Sequence, residues 1–510
     1  MPTDELIQRD LAVLWHPCAQ MSDYRGPDGF APLHIVSARG SRLHLADGRQ
    51  IIDAISSWWC KSLGHGHPKL KQALIAQARA FEHVILANTT NEPVVRLCER
   101  LLTLANGSGP GAQEPRGQAE EGMRPQPATR PLDHSATPFA KVFLADNGST
   151  GMEIALKLAL HAQKHLGRPQ RTHFAFFENG YHGETVGTLS VGDCGLYGDP
   201  YRPLFFPATR LTGLPYRLGP EDPLWMDASA EWPGIEAQLN TLASTLAGIV
   251  YEPVLQGAGG MRLYSPDLLP RLRAWADVHE VLLIADEIAA GFGRCGAMLA
   301  SHLGSGRVAK WPGGQVDEAA GTPSAAGALG HSTTSPLPHL AVVSKGLTGG
   351  FLPLSAVLIP DAIYDLFEAP YAELRGFMHS NTYTGNALAV AVANASLDVF
   401  EQDDILGRIA RLGPRLRGGL ARLARTRPYL HNVRGVGFMA AADIRQPDGT
   451  PLDWRQRTGY QVYRQAVARG VLLRPIGDTL YLFPPFTTPR QDIGTMIRVM
   501  GESLDAVLAG

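Results

Sequence analysis

Val281-Leu-Leu-Ile-Ala-Asp286-Glu287 and, further along the chain, Leu340-Ala-Val-Val-Ser344-Lys345-Gly346 are short apolar runs that each stop abruptly at a charge. Runs this short, rich in Val, Ile and Leu and bounded by turn residues, read as strands buried on both faces of a parallel sheet. Ligands of such sheets gather at the carboxyl ends of the strands, so a carboxylate, Asp286, and an amine, Lys345, are expected at one crevice. Taken singly, each also fits a blander role: Asp-Glu after a strand serves as a helix cap, and Lys-Gly as a solvated turn.

The residues just after the two strand ends favour a ligand. Ile288-Ala-Ala-Gly-Phe-Gly-Arg294 and Leu347-Thr-Gly-Gly350 are glycine-dense where ordinary caps would lead into helices, and glycine lets a backbone approach a flat molecule closely. A lysine in an apolar setting can lose its proton and attack a carbonyl, while a carboxylate can hold a pyridine nitrogen protonated. Together Lys345 and Asp286 describe a site for pyridoxal 5′-phosphate.

Around this pair, strand and helix patterns alternate. Candidate strands are Lys141 to Asp146, Thr172 to Phe177, Ala247 to Glu252, Val281 to Asp286, Leu340 to Ser344 and Ser355 to Ile359, with crossover helices such as the one from Met152 to Ala162 and beyond. This predicts an α/β fold with a mostly parallel sheet covered on both faces. From about residue 366 the rhythm changes to helices followed by short strands near Val433 to Met439 and Thr479 to Phe483. The expected organisation is an N-terminal segment, 1–60, joining a small α+β domain at 366–510, with a large cofactor-binding domain at 61–365. Two stretches, 105–138 and 303–338, are rich in Gly, Pro, Ser and Ala with few bulky apolar residues, and read as disordered insertions.

Composition narrows the function classes. The chain has 510 residues, 45% hydrophobic and 18% charged, which is globular, and a net charge of −2. That balance argues against nucleic acid or an anionic membrane surface as a partner. The Arg-rich stretch from Arg408 to Arg427 alternates with Leu, Ile and Ala at helical spacing and reads as a solvated helix face. Five scattered cysteines, Cys18, Cys60, Cys98, Cys194 and Cys295, form no Cys-x-x-Cys pair and suggest free thiols in a reducing compartment. Lacking a signal-peptide pattern or a long apolar run, the sequence predicts a soluble cytoplasmic protein.

Further motifs carry chemistry. Asn147-Gly148-Ser149-Thr150-Gly151 lies between a strand and a helix, where unpaired backbone N–H groups and the macrodipole favour a phosphate; an unliganded N-cap is the alternative. Tyr181, in Gly180-Tyr-His-Gly-Glu184, can stack on a flat heterocycle. His65-Gly-His67-Pro68 reads as a loop, and no metal site is expected. Ser56-Ser-Trp58-Trp59 should line a core, a pocket or a subunit interface. Arg294 lies in the glycine loop after Asp286 and Arg474 ends the run Val471-Leu-Leu; such an arginine is either a surface cap or a fork for a carboxylate.

Asn147-Gly-Ser-Thr, Gly180-Tyr-His-Gly-Glu, Glu252-Pro-Val-Leu-Gln-Gly-Ala-Gly-Gly, Leu283-Ile-Ala-Asp-Glu-Ile-Ala-Ala-Gly-Phe-Gly-Arg and Ser344-Lys-Gly-Leu-Thr-Gly-Gly together resemble the class III, fold type I, pyridoxal phosphate aminotransferases. The resemblance covers essentially the whole chain outside the two insertions. It implies a mostly parallel seven-stranded sheet in the large domain, Lys345 as Schiff-base lysine and proton carrier, and Asp286 at the pyridine nitrogen. It further implies Tyr181 on the ring, the phosphate on Gly148, Ser149 and Thr150, and a homodimer in which Thr382 of the partner subunit completes the phosphate site.

Within that class, Leu14-Trp-His-Pro17, Ser56-Ser-Trp-Trp59, Gln256-Gly-Ala-Gly-Gly-Met-Arg262, His379-Ser-Asn-Thr-Tyr-Thr-Gly-Asn386 and Leu473-Arg-Pro475 with Tyr481-Leu-Phe-Pro-Pro485 resemble the branch serving biotin biosynthesis. That implies S-adenosylmethionine as amine donor and 8-amino-7-oxononanoate as acceptor, with Trp58, Tyr181, Arg294, Ser380, Arg474 and Tyr481 as substrate-binding residues. Some relatives use lysine as donor. A class III enzyme for other ω-amino acids and a catalytically silent binding module are the alternatives. Two departures stand out: Cys18 follows Trp-His-Pro where the branch often has Tyr, and Ser380-Asn381 precedes Thr382 where some members have Gly-Pro.

Overall fold

All six expected strands form, and a seventh joins them at the sheet's edge. The computed structural model describes residues 3–25, 29–107, 138–193, 195–305 and 337–508. Its largest sheet has seven strands in the order Phe139–Ala145, Ser355–Pro360, Leu340–Val343, Leu282–Asp286, Leu246–Tyr251, His173–Phe177, Ala208–Leu211. Neighbours from Leu340–Val343 through Ala208–Leu211 run parallel. Ser355–Pro360 runs antiparallel to both of its neighbours. Ala208–Leu211, with only one apolar side chain buried, gives too weak a pattern to be picked out of the sequence.

Burial follows the pleat. Every residue of Leu246–Tyr251, Leu282–Asp286, Leu340–Val343 and Ser355–Pro360 is buried, which is why these runs lack polar alternation. Val250, Ile284, Val342 and Val357 pack on one face with the helix Gly148–His165. Ile249, Leu283 and Ala285 pack on the other with Leu268–His279 and Trp232–Leu242.

The chain divides into two compact units: residues 69–414 with 434–438, which hold the large sheet, and residues 1–68, 415–433 and 439–510. The expected boundary near 366 therefore falls at 414. The reason is the helix Ala387–Gln402, which packs on Glu92–Asn106: Asn394 Nδ2 donates to the Pro93 carbonyl at 2.9 Å and Arg100 pairs with Asp398 at 2.8 Å. The N-terminal segment falls with the C-terminal residues. In that unit Arg42–Leu45 pairs with Gln50–Asp53, and Gln50–Asp53 pairs in parallel with Val471–Leu472. Buried Asp492 of the last helix, Arg490–Leu508, accepts from Ser41 Oγ at 3.0 Å and pairs with Arg42 at 2.6 Å.

The Arg-rich stretch lies largely on the helix Ile405–Ala424, whose Ile405, Ile409, Leu416 and Leu420 are buried while Arg411, Arg415 and Arg422 are exposed. The two insertions, apart from a few flanking residues, and Cys194 lie outside the described residues.

Candidate active site

Four adjacent strands of the large sheet each deliver chemistry just beyond their carboxyl ends. Lys345 follows Leu340–Val343, Asp286 closes Leu282–Asp286, Glu252 follows Leu246–Tyr251, and Tyr181 with His182 follow His173–Phe177. The first two strands are in register at Asp286 and Val342, and Glu287 N donates to Val342 O at 2.9 Å. Parallel pairing thus puts the amine-bearing and carboxylate-bearing ends side by side, although much sequence separates them.

Asp286 is 4% exposed. Its Oδ1 accepts from Ile288 N at 3.0 Å and its Oδ2 faces His182 Nδ1 at 2.8 Å. His182 is buried; because a carboxylate accepts, Nδ1 is assigned as the donor to Asp286, and Nε2 has no hydrogen-bond partner among the described residues. Glu252 is also buried. Its Oε1 accepts from Tyr181 N at 3.1 Å and its Oε2 from Gly257 N at 2.9 Å, so one carboxyl clamps the turn carrying the aromatic ring to the Gly-rich loop. Burial pushes Glu252 up to about 8, the charge of Asp286 adds to the rise, and Lys345 opposes it. Next to Asp286, burial pushes Glu287 up to about 7 against the donors Ser301 Oγ, Ser301 N and Ala300 N. Its role is to hold the loop at 300–301.

The phosphate candidate is built as a capped helix start. Asn147 Oδ1 accepts from Thr150 N at 3.1 Å, and Thr150 Oγ1 accepts from Asn147 N at 3.1 Å, a reciprocal capping box at the head of Gly148–His165. A Cβ on Gly148 would sit 2.8 Å from Ile288 Cδ1. Gly183 has φ of 127°, and a Cβ there would overlap the Ser149 hydroxyl. The turn after Tyr181 therefore closes directly on the helix start. An amine, a histidine-backed carboxylate, an aromatic side chain and an anion-favouring helix start fit pyridoxal phosphate in donor chemistry. Among the described residues, no group of three or more His, Cys, Asp or Glu could hold a metal ion.

Arg294 is 2% exposed; its guanidinium donates to the Phe438 carbonyl at 2.8 Å, and burial pulls its pKa well down. Ser380 and Thr382 are exposed. The second unit carries the other substrate candidates. The Arg474 guanidinium lies 4.7 Å from the Trp58 ring centroid and donates to the Cys18 carbonyl at 2.8 Å. Tyr481 is buried, its phenol pushed up by burial, and its oxygen accepts from the Trp59 indole N–H at 3.1 Å. In the same unit Asp53 is fully buried and pairs with His65 at 2.9 Å. Sequence reading gives no role to His182, Glu252, Asp53 or the side chain of His65. The signal they share is a polar residue inside or just after an apolar run, which becomes meaningful only when burial is known.

Comparison with known proteins gives the same answer. The family model for class-III aminotransferases matches residues 25–306 and 316–504. The adenosylmethionine-8-amino-7-oxononanoate aminotransferase of Synechococcus elongatus is 35% identical over 97% of this chain and 99% of its own length. The crystal structure of the enzyme of that name from Methanocaldococcus jannaschii matches with a TM-score of 0.80 at 26% identity, covering 99% of each chain. An amine transaminase from an uncultivated Pseudomonas species, in its PLP-bound form, matches with a TM-score of 0.77 at 29% identity, covering 97% of this chain and 99% of its own. The chain belongs to the class-III aminotransferase family.

Proposed function

We propose that this protein transfers the amino group of S-adenosylmethionine to the keto group of 8-amino-7-oxononanoate, giving 7,8-diaminononanoate for biotin biosynthesis, with pyridoxal 5′-phosphate as cofactor. The observation that carries the aminotransferase chemistry is the row of Lys345, Asp286, Glu252 and Tyr181–His182 beyond four adjacent strand ends. The full-length similarity to enzymes named for this reaction supports the choice of substrates.

Bound at this row, the cofactor supplies an aldehyde to receive the amine and a ring to take up electrons. Lys345 would hold the cofactor through its amine, and the same Nζ would be the acid/base that takes up and returns the proton at the amine-bearing carbon of the substrate. Asp286, fixed by His182, would face the pyridine nitrogen and keep it protonated. Tyr181 covers the ring, and Gly148, Ser149 and Thr150 hold the phosphate by the helix start. Trp58, Arg474, Arg294, Ser380 and Tyr481 shape the binding of substrate, and Arg474 is the partner for the acceptor's carboxylate.

The assembly belongs to the same proposal. Ile85, Tyr371, Leu374, Met378 and Tyr383 are exposed on two neighbouring segments, joined where His83 meets the Tyr383 ring at 5.4 Å. A second copy covers these side chains and brings Thr382 to the phosphate site of its partner.

The test is Lys345→Ala. The variant is expected to lose turnover by roughly 10²–10⁴-fold or more and to lose the absorbance band of lysine-bound cofactor, because one amine does both jobs. Turnover near the wild-type rate with the band intact would remove Lys345 from its role. Incubating the yellow holoenzyme with S-adenosylmethionine or with lysine, and following conversion to the pyridoxamine form, identifies the donor; response to lysine alone would replace S-adenosylmethionine in that role.

A further inference from the structure

The turn that carries the two tryptophans is wound in the left-handed sense. Ser56, Ser57, Trp58 and Trp59 have φ of 52°, 42°, 71° and 72°, and none of them is glycine. Trp59 N donates to Ile55 O at 2.9 Å and Cys60 N to Ser56 O at 3.1 Å, so the segment closes as a left-handed helical turn. In that region the Cβ of an L residue crowds its own carbonyl, and consecutive residues hold it only where the surroundings impose it.

The imposing group is Asp53. Its Oδ1 accepts from Ile55 N at 3.2 Å and Ser57 N at 3.0 Å. Its Oδ2 accepts from Ser57 Oγ at 2.8 Å and pairs with His65 Nε2 at 2.9 Å. His65 is itself fixed by reciprocal backbone hydrogen bonds with Gly40 at 2.9 and 2.8 Å. Burial pushes the Asp53 carboxyl up, but the bonds from His65 and Ser57 outweigh it and hold the group below its ordinary value. The consequence is a division of labour between neighbours. Trp59 turns inward to Tyr481, while Trp58 remains 45% exposed against the Arg474 guanidinium.

Ser57, His65 and Asp53 are not a nucleophilic relay. The same nitrogen, Nε2, faces Asp53 at 2.9 Å and Ser57 at 3.5 Å, and Ser57 already spends its proton on Asp53. The network is built to hold a backbone.

We infer that Asp53, locked by His65, is a positioning pair for substrate affinity: it keeps the left-handed turn that presents Trp58 beside Arg474 to the acceptor. This rests on the proposed function, in which Trp58 and Arg474 meet the acceptor.

The experiment uses the holoenzyme with Asp53→Asn, and with Asp53→Asn combined with Ser57→Gly, since glycine takes positive φ without help. Asp53→Asn is expected to raise KM for 8-amino-7-oxononanoate about tenfold with little change in kcat or bound cofactor. It should also increase acrylamide quenching of tryptophan emission. Because the chain has eight tryptophans, the same comparison on a Trp58→Phe background isolates Trp58, and there the increase should vanish. Adding Ser57→Gly should recover most of the KM and the quenching, a rescue that general loss of structure would not show. An unchanged quenching curve overturns the inference whatever the enzyme's substrate. A changed curve with unchanged KM overturns it by showing that Trp58 does not read the acceptor, while the wild-type assay with that acceptor separately judges the proposed function.

Discussion

In the proposed function Asp286 keeps a pyridine nitrogen protonated; such a carboxylate has to be aimed, and in this chain the aim falls to His182. Its Nδ1 lies 2.8 Å from Asp286 Oδ2 in a site closed to water. Removing that donor leaves a buried carboxylate under-satisfied, a cost of about 1–3 kcal/mol. His182→Phe should therefore weaken cofactor binding by roughly tenfold or more, measured by titrating the apoprotein with pyridoxal phosphate, and His182→Asn, which can still donate, should recover part of it. Glu252 works at the same scale with a different signature. Its carboxyl is held up to about 8 from an ordinary value of 4.5. Between those values the unfolded chain releases the proton while the folded site retains it, so this group's contribution is complete below the ordinary value and is lost as pH rises through about 8. Glu252→Gln should show a constant offset for one lost acceptor and a flatter fall in melting temperature between about pH 5 and pH 8. A difference from wild type that does not change with pH would contradict the assignment.

At the scale of elements, the helix Gly148–His165 must start tight against two strands. A Cβ on Gly151 would lie 2.7 Å from Val342 Cγ1 and 2.9 Å from Ser355 Oγ, both on strands of the sheet. Gly151→Ala should cost roughly 1–3 kcal/mol of stability and, if the helix start holds the phosphate as proposed, weaken cofactor binding with it; denaturant unfolding and cofactor titration check the two effects. Unchanged cofactor affinity in a destabilised variant would separate the helix start from the phosphate site. These same elements show what the sequence could reveal. Val281 to Asp286 and Leu340 to Ser344 are legible because a strand buried on both faces needs an unbroken apolar run, and the run ends where the ligand begins. The Ser56–Trp59 turn is not legible: left-handed backbone is ordinarily announced by glycine or asparagine, and here it is imposed by Asp53, whose hydrogen bonds exist only in the folded chain. His182 and Glu252 stay hidden for a related reason, since a polar residue after a strand looks alike whether it faces water or a buried carboxylate.

At the scale of the whole molecule, sequence rhythm places a domain boundary near residue 366, whereas contacts between the helices Ala387–Gln402 and Glu92–Asn106 carry the larger unit on to 414. The rhythm reports which elements come next, and only packing decides to which core they belong. Thr382 sits on that reassigned stretch, exposed, within a segment where Tyr371 and Met378 are each 91% exposed. Large apolar side chains in such a position call for a cover, and a symmetric pair of chains offers each site a loop from the other copy. Complementation tests this directly. Lys345→Ala and Thr382→Val are each expected to be poorly active alone, the first for want of the amine and the second for want of a phosphate contact. Mixed under conditions that exchange subunits, they should regain activity, because in a mixed dimer one site takes Lys345 from one chain and Thr382 from the other. Random exchange makes half the dimers mixed, with one intact site each, so recovery should approach about a quarter of the wild-type activity. Dilution of the mixture below the dissociation constant of the dimer should abolish the gain. Recovery no greater than the sum of the two variants would place Thr382 in the same chain's site or outside any site, and would end the case for a shared one.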